Sequence, residues 1–347
     1  MRCGDFKRTY AEDMAIFETR FSRGLLVAFL VGLALVPLFA THYWLDILNR
    51  TLIAVIAAMG LNILTGFTGQ ISLGNAAFLA VGAYTTAFLA GRMGLPFPVV
   101  IPLAGVVTAL VGMVFGIPSL RLKGLYLAVA TLAAHFVIEF TVVHWEKVTG
   151  GVNGISVPAA KLGALELAGD RQIYWLALPL TALLLLFARN LFRTRIGKAF
   201  VAIRDQDISA EVMGVNVFTH KLLAFGVSSF YVGVAGALLA YQARIISPEN
   251  FPITVAIDQL GMIIIGGLGS VLGSIMGAVF VTLLPELLRL ATGALSHSTP
   301  ALLGLFAPLK TGLFGLAIVL FLVFEPDGMA ARWRKVKNFW KLYPFSY

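Results

Sequence analysis

The 347-residue chain is poor in charge: Asp, Glu, Lys and Arg make up only 12% of it, against 59% hydrophobic residues. An ordinary soluble domain carries about 25% charged residues. With a mean hydropathy of +0.89, this composition excludes a soluble globular fold. A single cysteine, Cys3, excludes an internal disulfide and a cysteine metal cluster. The Gly-rich stretch "GGLGSVLGS" (266–274) lacks the Lys of a phosphate-binding loop and the third Gly of a dinucleotide fingerprint. The histidines are His42, His135, His144, His220 and His297. None sits in a metalloprotease pattern or beside a nucleophile motif, so no catalytic set, metal site or cofactor is expected. The alternating segments of a membrane barrel are also missing.

What is present is a succession of apolar runs long enough to span a bilayer. They lie near 24–41, 47–66, 71–91, 96–117, 124–143, 172–192, 219–242, 253–266, 271–291 and 304–324. The pattern predicts an all-α polytopic membrane protein of about ten segments, some broken or re-entrant. With the N-terminus inside, the inner segments (1–23, 67–70, 118–123, 189–221, 325–347) carry 18 Lys and Arg. The outer ones carry six: Arg50, Arg92, Lys147, Lys161, Arg171 and Arg244. That asymmetry predicts N-in, C-in. The net charge of +9 then reports orientation and anionic headgroups rather than nucleic acid. The 23 residues before the first run, with Asp5, Glu12, Asp13 and Glu18, are too long and acidic for a signal-peptide n-region.

Three parts are expected: an interfacial amphipathic segment over 1–23, the membrane domain over 24–330, and a basic amphipathic tail over 331–347. Phe6, Tyr10, Met14, Phe17 and Phe21 recur at helical spacing in the first. Trp333, Val336, Trp340 and Tyr343 do so in the last, among Arg332, Arg334, Lys335, Lys337 and Lys341. Such helices lie on a membrane surface.

Polar and small residues interrupt the apolar runs at a few places. "LNILTGFTGQISLGNAAF" (61–78) carries Gly66, Gly69 and Gly74, which can loosen a helix, and Gln70, Ser72 and Asn75, which offer neutral hydrogen-bonding groups. Two readings stand: these groups line a solute path, or they cap helices and bond between them. Gly266 and Gly269 echo Gly66 and Gly69 exactly two hundred residues on, the paired interruption seen in transporter pathways. Gly269, Gly273 and Gly277 form one small-residue row, and Gly226, Ser229, Gly233 and Gly236 another, for close helix packing. His135 and Glu139 lie one turn apart and are expected to form a buried polar pair. Asp258 and Lys310 are candidates for an interhelical pair, since neither is cheap to bury alone. In 189–221, Ala199, Ile203, Ile208 and Val212 recur at helical spacing between charges, with Gly197 and Gly214 bracketing the stretch. This predicts a short amphipathic helical hairpin under the bilayer whose apolar stripe needs something to pack on.

Six blocks, in order, carry a resemblance: "GLNILTGFTGQISLGNAAFLAVGAYTTA" (60–87), "LRLKGLYLAVATLA" (120–133), "TGGVNGI" (149–155), "GKAFVAIRDQDISAEVMGVNV" (197–217), "IIIGGLGSVLGS" (263–274) and "VLFLVFEPDGM" (319–329). The chain resembles, from about residue 47 to 330, the membrane permease of bacterial branched-chain amino-acid ABC transporters, of the LivM type. The resemblance implies a non-catalytic subunit in the bacterial cytoplasmic (inner) membrane. Its implied partners are a second related permease in a heterodimer, two cytoplasmic ATP-binding subunits that hydrolyse ATP, and a periplasmic solute-binding protein. It further implies that the loop core Ala210, Glu211, Val212, Met213 and Gly214 docks on the ATPase, with Arg204 and Asp205 among the charges that orient it. The implied cargo is Leu, Ile or Val; the alternatives are urea, short amides or another small solute through the same machinery, or an ion-coupled secondary transporter.

Overall fold

A computed structural model describes residues 20–119, 122, 124–162, 165–296, 306–325 and 327–342. The main helices are α1 (Arg20–Phe39), α2 (His42–Asn62), α3 (Asn75–Gly91), α4 (Phe97–Ser119), α5 (Leu125–His144), α6 (Asp170–Leu191), α7 (Arg195–Asp205), α8 (Asp207–Val212), α9 (Val217–Ala243), α10 (Ile253–Gly266), α11 (Val271–Ser296), α12 (Phe306–Phe324) and α13 (Gly328–Leu342). Each of the ten apolar runs falls on one of these helices. Five are long and apolar enough to cross a membrane: α2 with its extension to Phe67, α4, α5, α6 and α9. Shorter apolar helices cover Val27–Phe39, Asn75–Gly91 and Val271–Leu287. The 14-residue α10 rises only about 21 Å at 1.5 Å per residue, short of a ~30 Å hydrocarbon core.

At the centre stands α9, packed on α4, α3 and α2. Its small-residue face permits this. A Cβ on Gly233 would stand 2.5 Å from Thr108 Oγ1, and one on Gly236 only 2.2 Å from Leu79 O. The backbones therefore touch, and dispersion between them replaces side-chain packing. Tyr231, fully buried, donates its hydroxyl to Leu184 O at 2.7 Å and ties α6 to this centre.

A second cluster joins α2 to the antiparallel pair α10–α11 through Val55, Ala58, Leu61, Met262, Ile263, Ile265, Ala278 and Val281. Here Gly273 and Gly277 form a tight contact: their Cβ atoms would meet Gly267 O at 2.4 Å and Met262 O at 1.7 Å. Gly269 does not share that helix face. It lies in the α10–α11 turn with φ +70°, because the chain reverses direction there. Exposed Val99, Leu103, Val106, Leu110 and Val114 on α4, with Leu183, Leu186 and Phe187 on α6, present apolar stripes that suit lipid or another membrane subunit.

Connections gather at two ends of the bundle. At one end, four short strands appear that the apolar runs did not foretell. β1 (Ile155–Ser156) pairs antiparallel with β4 (Ile245–Ile246), and β2 (Ala160–Leu162) with β3 (Leu165–Leu167). Arg92 reaches Lys147 O there, and Arg244 Nη2 donates to Leu167 O at 3.3 Å. At the other end lie residues 67–74, α7, α8 and the turns after α10 and α12, touching through Gly66, Arg204, Gly267, Gly269 and Asp327. Of these, 67–70, the 189–221 stretch and the segment after residue 325 are among those expected on the inner side. The 1–19 part of the N-terminal segment, Trp340 and Lys310 side chains and Tyr343 lie outside the described residues, so the Asp258–Lys310 pair lies outside them too.

Candidate functional site

The C-terminal end of α2 does not simply stop. Residues Ile63–Phe67 widen into a π-helical turn, a feature that commonly marks functional sites. Gly69 then turns the chain at φ +69°, and residues up to Gly74 are non-helical before α3 starts at Asn75. The expected segment 71–91 thus begins four residues late, because its first residues are used in this loop.

The freed backbone is satisfied by a local polar network, as membrane depth demands. Asn62, fully buried, donates Nδ2 to Ser270 O at 2.9 Å and to Ser274 Oγ at 2.7 Å. Its Oδ1 accepts from Gly269 N at 2.9 Å. One amide therefore clamps the end of α2 to the start of α11. Gly66 packs directly on this clamp: a Cβ there would stand 1.8 Å from Asn62 Oδ1 and 2.4 Å from Gly269 N. The two glycine interruptions echoed in the sequence are thus in contact in space.

The three polar candidates are all buried. Gln70 Nε2 donates to Thr68 Oγ1 at 3.1 Å, and its backbone N to Leu64 O at 3.1 Å. Its Oε1 has no hydrogen-bond partner among the described residues. Ser72 Oγ accepts from Gly74 N at 3.3 Å. Asn75 Nδ2 donates to Gln259 Oε1 of α10. Gly74 lies against the Thr131 carbonyl, where a Cβ would stand 2.8 Å away, and Leu73 N donates to Thr131 Oγ1 at 2.9 Å. The loop is therefore bound to both α10 and α5.

Beneath it sits the α7–α8 unit. Thr194 caps α7 by accepting from Gly197 N at 3.3 Å. The stretch expected as a helical hairpin holds two helices, broken at Gln206, whose extended backbone (φ −162°, ψ 108°) cannot continue a helix. The predicted apolar stripe divides accordingly. Ala199 and Ile203 are buried with Phe200 against this chain's own bundle, while Ile208, Val212 and Met213 are 64%, 82% and 83% exposed. Gly214, at φ +87°, ends α8 as expected: Val215 N bonds to Ala210 O and Gly214 N to Glu211 O. Ala210 is buried; Glu211 and Gly214 are exposed.

Arg204 joins the two layers. Its Nη1 donates to Gly66 O at 3.1 Å, while Nε and Nη2 hold Asp205 Oδ1 at 3.0 and 2.9 Å. Gly69 packs on its Cα and Cβ. A polar cavity of about 380 Å³ opens here between Thr68, Gln70, Leu127, Arg204, Asp207 and Lys221.

Comparison with known proteins gives this junction its context. A family described as branched-chain amino acid transport system / permease component matches residues 43–322. The chain belongs to this family. It is 34% identical over 288 residues to the high-affinity branched-chain amino acid transport system permease protein LivM of Salmonella typhimurium, covering 76% of this chain and 68% of that one. It is 32% identical over 340 residues to LivM of Escherichia coli K12, covering 90% and 76%. It is 27% identical over 203 residues to the autoinducer 2 import system permease protein LsrC of Escherichia coli, covering 55% and 57%. No solved structure matches.

For this permease, the junction also contains residues without a role assigned from sequence: Asn62, Thr131, Gln259, Ser270 and Ser274. Asn62 was legible as a polar interruption in an apolar run. Its partners were not, because they lie more than two hundred residues away.

Proposed function

We propose that this chain is one transmembrane permease subunit of an ATP-driven importer that moves branched-chain amino acids inward across the bacterial inner membrane. A second, related permease completes the pore, two cytoplasmic ATP-binding subunits hydrolyse ATP, and a periplasmic binding protein delivers the solute. The chain has about ten membrane segments, some broken or re-entrant like the short α10, with both termini inside, and its terminal amphipathic segments lie on the inner surface.

The observation that carries the reading is the α7–α8 unit. α7 is fixed to the bundle by Ala199, Phe200 and Ile203, and α8 turns Ile208, Val212 and Met213 outward. An exposed apolar patch at i, i+4 and i+5 on a helix suits a groove on another protein. Glu211 on its rim sets orientation. A push on α8 reaches α7, and Arg204 passes it to the Gly66 carbonyl and the π-helical end of α2. Loosened helix ends at Gly66, Gly69 and Gly74 then let the inner mouth open, and Gln70, Ser72 and Asn75 offer neutral groups to the passing solute. The LsrC relative carries a different named cargo, so the family alone does not fix the solute.

The test is retention of the ATPase in detergent. Val212→Asp with Met213→Asp should release it while the permease pair stays assembled. Full retention with normal uptake would remove α8 from the coupling surface.

A further inference from the structure

Near the middle of α5, His135 is 1% exposed, yet neither ring nitrogen has a hydrogen-bond partner among the described residues. Its Nε2 lies 3.7 Å from Glu139 Oε2, beyond hydrogen-bond length. One turn along, the Glu139 side chain is 46% exposed, between exposed Phe136, Val137 and Phe140. A carboxylate on an apolar face within a membrane span needs an opposing charge. Ala77 and Ala80 of α3, Val142 of α5 and Phe251 line a half-open niche beside the two polar groups, with space of about 10 Å³. That is room for a single water-sized group, which is also the size of an ammonium head. An anionic group there would face Glu139 at close range and be repelled.

We propose that this niche is one wall of the solute path and receives the primary ammonium group of an α-amino acid. Glu139 supplies the counter-charge, and a lone pair of neutral His135 accepts one N–H. The rest of the solute lies outside the niche, along the exposed face of α5. The inference rests on the amino-acid import reading above, and it places the selective contact at His135 and Glu139 rather than at Gln70, Ser72 and Asn75.

The experiment uses the complete complex, with partner permease, ATPases and binding protein, in vesicles with leucine as the probe. Uptake is measured at saturating leucine-loaded binding protein, beside ATP hydrolysis and subunit content. Glu139→Gln should cut uptake by about tenfold or more, the value of one charge-assisted contact, with assembly and ATP hydrolysis retained. Glu139→Asp should recover part of it. Ala80→Leu fills the niche without touching a charge and should reproduce the loss. Wild-type uptake in Glu139→Gln would overturn the proposal. So would loss of the partner permease from that variant, since Glu139 would then serve an intersubunit ion pair. If the wild-type complex moves no amino acid, the import reading itself fails and this inference with it; if it moves leucine and the variants match it, the niche alone fails.

Discussion

Replacing Asn62 with Ala removes one side chain and three hydrogen bonds, those to Ser270 O, Ser274 Oγ and Gly269 N. Hydrogen bonds between membrane helices contribute roughly 0.6–2 kcal/mol each. The clamp is then worth about 2–6 kcal/mol, toward the top of the range if Gly269 N stays buried without a partner. At roughly 2 °C per kcal/mol for a chain of this size, thermal inactivation in detergent should come about 4–12 °C earlier. Gly66→Ala offers an independent view of the same geometry. Its new Cβ would meet Asn62 Oδ1 at 1.8 Å and Gly269 N at 2.4 Å, so it should destabilise strongly alone. In the Asn62→Ala background the closer of the two clashes is gone. The double variant should therefore lose less than the sum of the singles, by at least about 1 kcal/mol. Monodisperse elution against temperature, followed by fluorescence, measures all three. Strict additivity, or an Asn62→Ala variant as stable as wild type, would refute the clamp.

Two further outcomes test Arg204 and the topology. Arg204→Ala removes the bond to Gly66 O and should lower leucine uptake several-fold while the complex still hydrolyses ATP. Arg204→Lys, which keeps the charge but not the fork, should recover little; unchanged uptake in both would disconnect α7 from the gate. Single cysteines at positions 161 and 205, with Cys3 removed, should label from opposite sides of the membrane, and labelling from one side would break the topology.

Much of the architecture was readable because burial in lipid is written into composition. Every apolar run became a helix, and α10, without length to cross, was visible as a short segment between Pro252 and Gly267. Gly273 and Gly277 stand where only glycine tolerates the neighbouring backbone, Gly277 against Met262 O, whereas Gly269 leaves that row for the turn. What stayed hidden was pairing. Nothing local tells that Asn62 meets Ser274 or that Asn75 meets Gln259, since each bond depends on how distant helices cross. Periodicity likewise could not say which half of the 197–217 stripe packs inward. Ala199 and Ile208 are both apolar residues among charges, and the break at Gln206 sends them to opposite environments. The short strands escaped because two- and three-residue pairings such as Ile155 with Ile246 leave no alternating pattern.

On the proposed function, this permease imports branched-chain amino acids only when its partners supply ATP hydrolysis and solute. The direct measurement is uptake of radiolabelled leucine by vesicles holding the purified complex, with ATP inside and binding protein outside. Uptake should require all of the subunits and ATP, and the chain reconstituted alone in an ion gradient should accumulate none. Leucine accumulation by the chain alone, driven by the gradient and indifferent to ATP, would contradict the account.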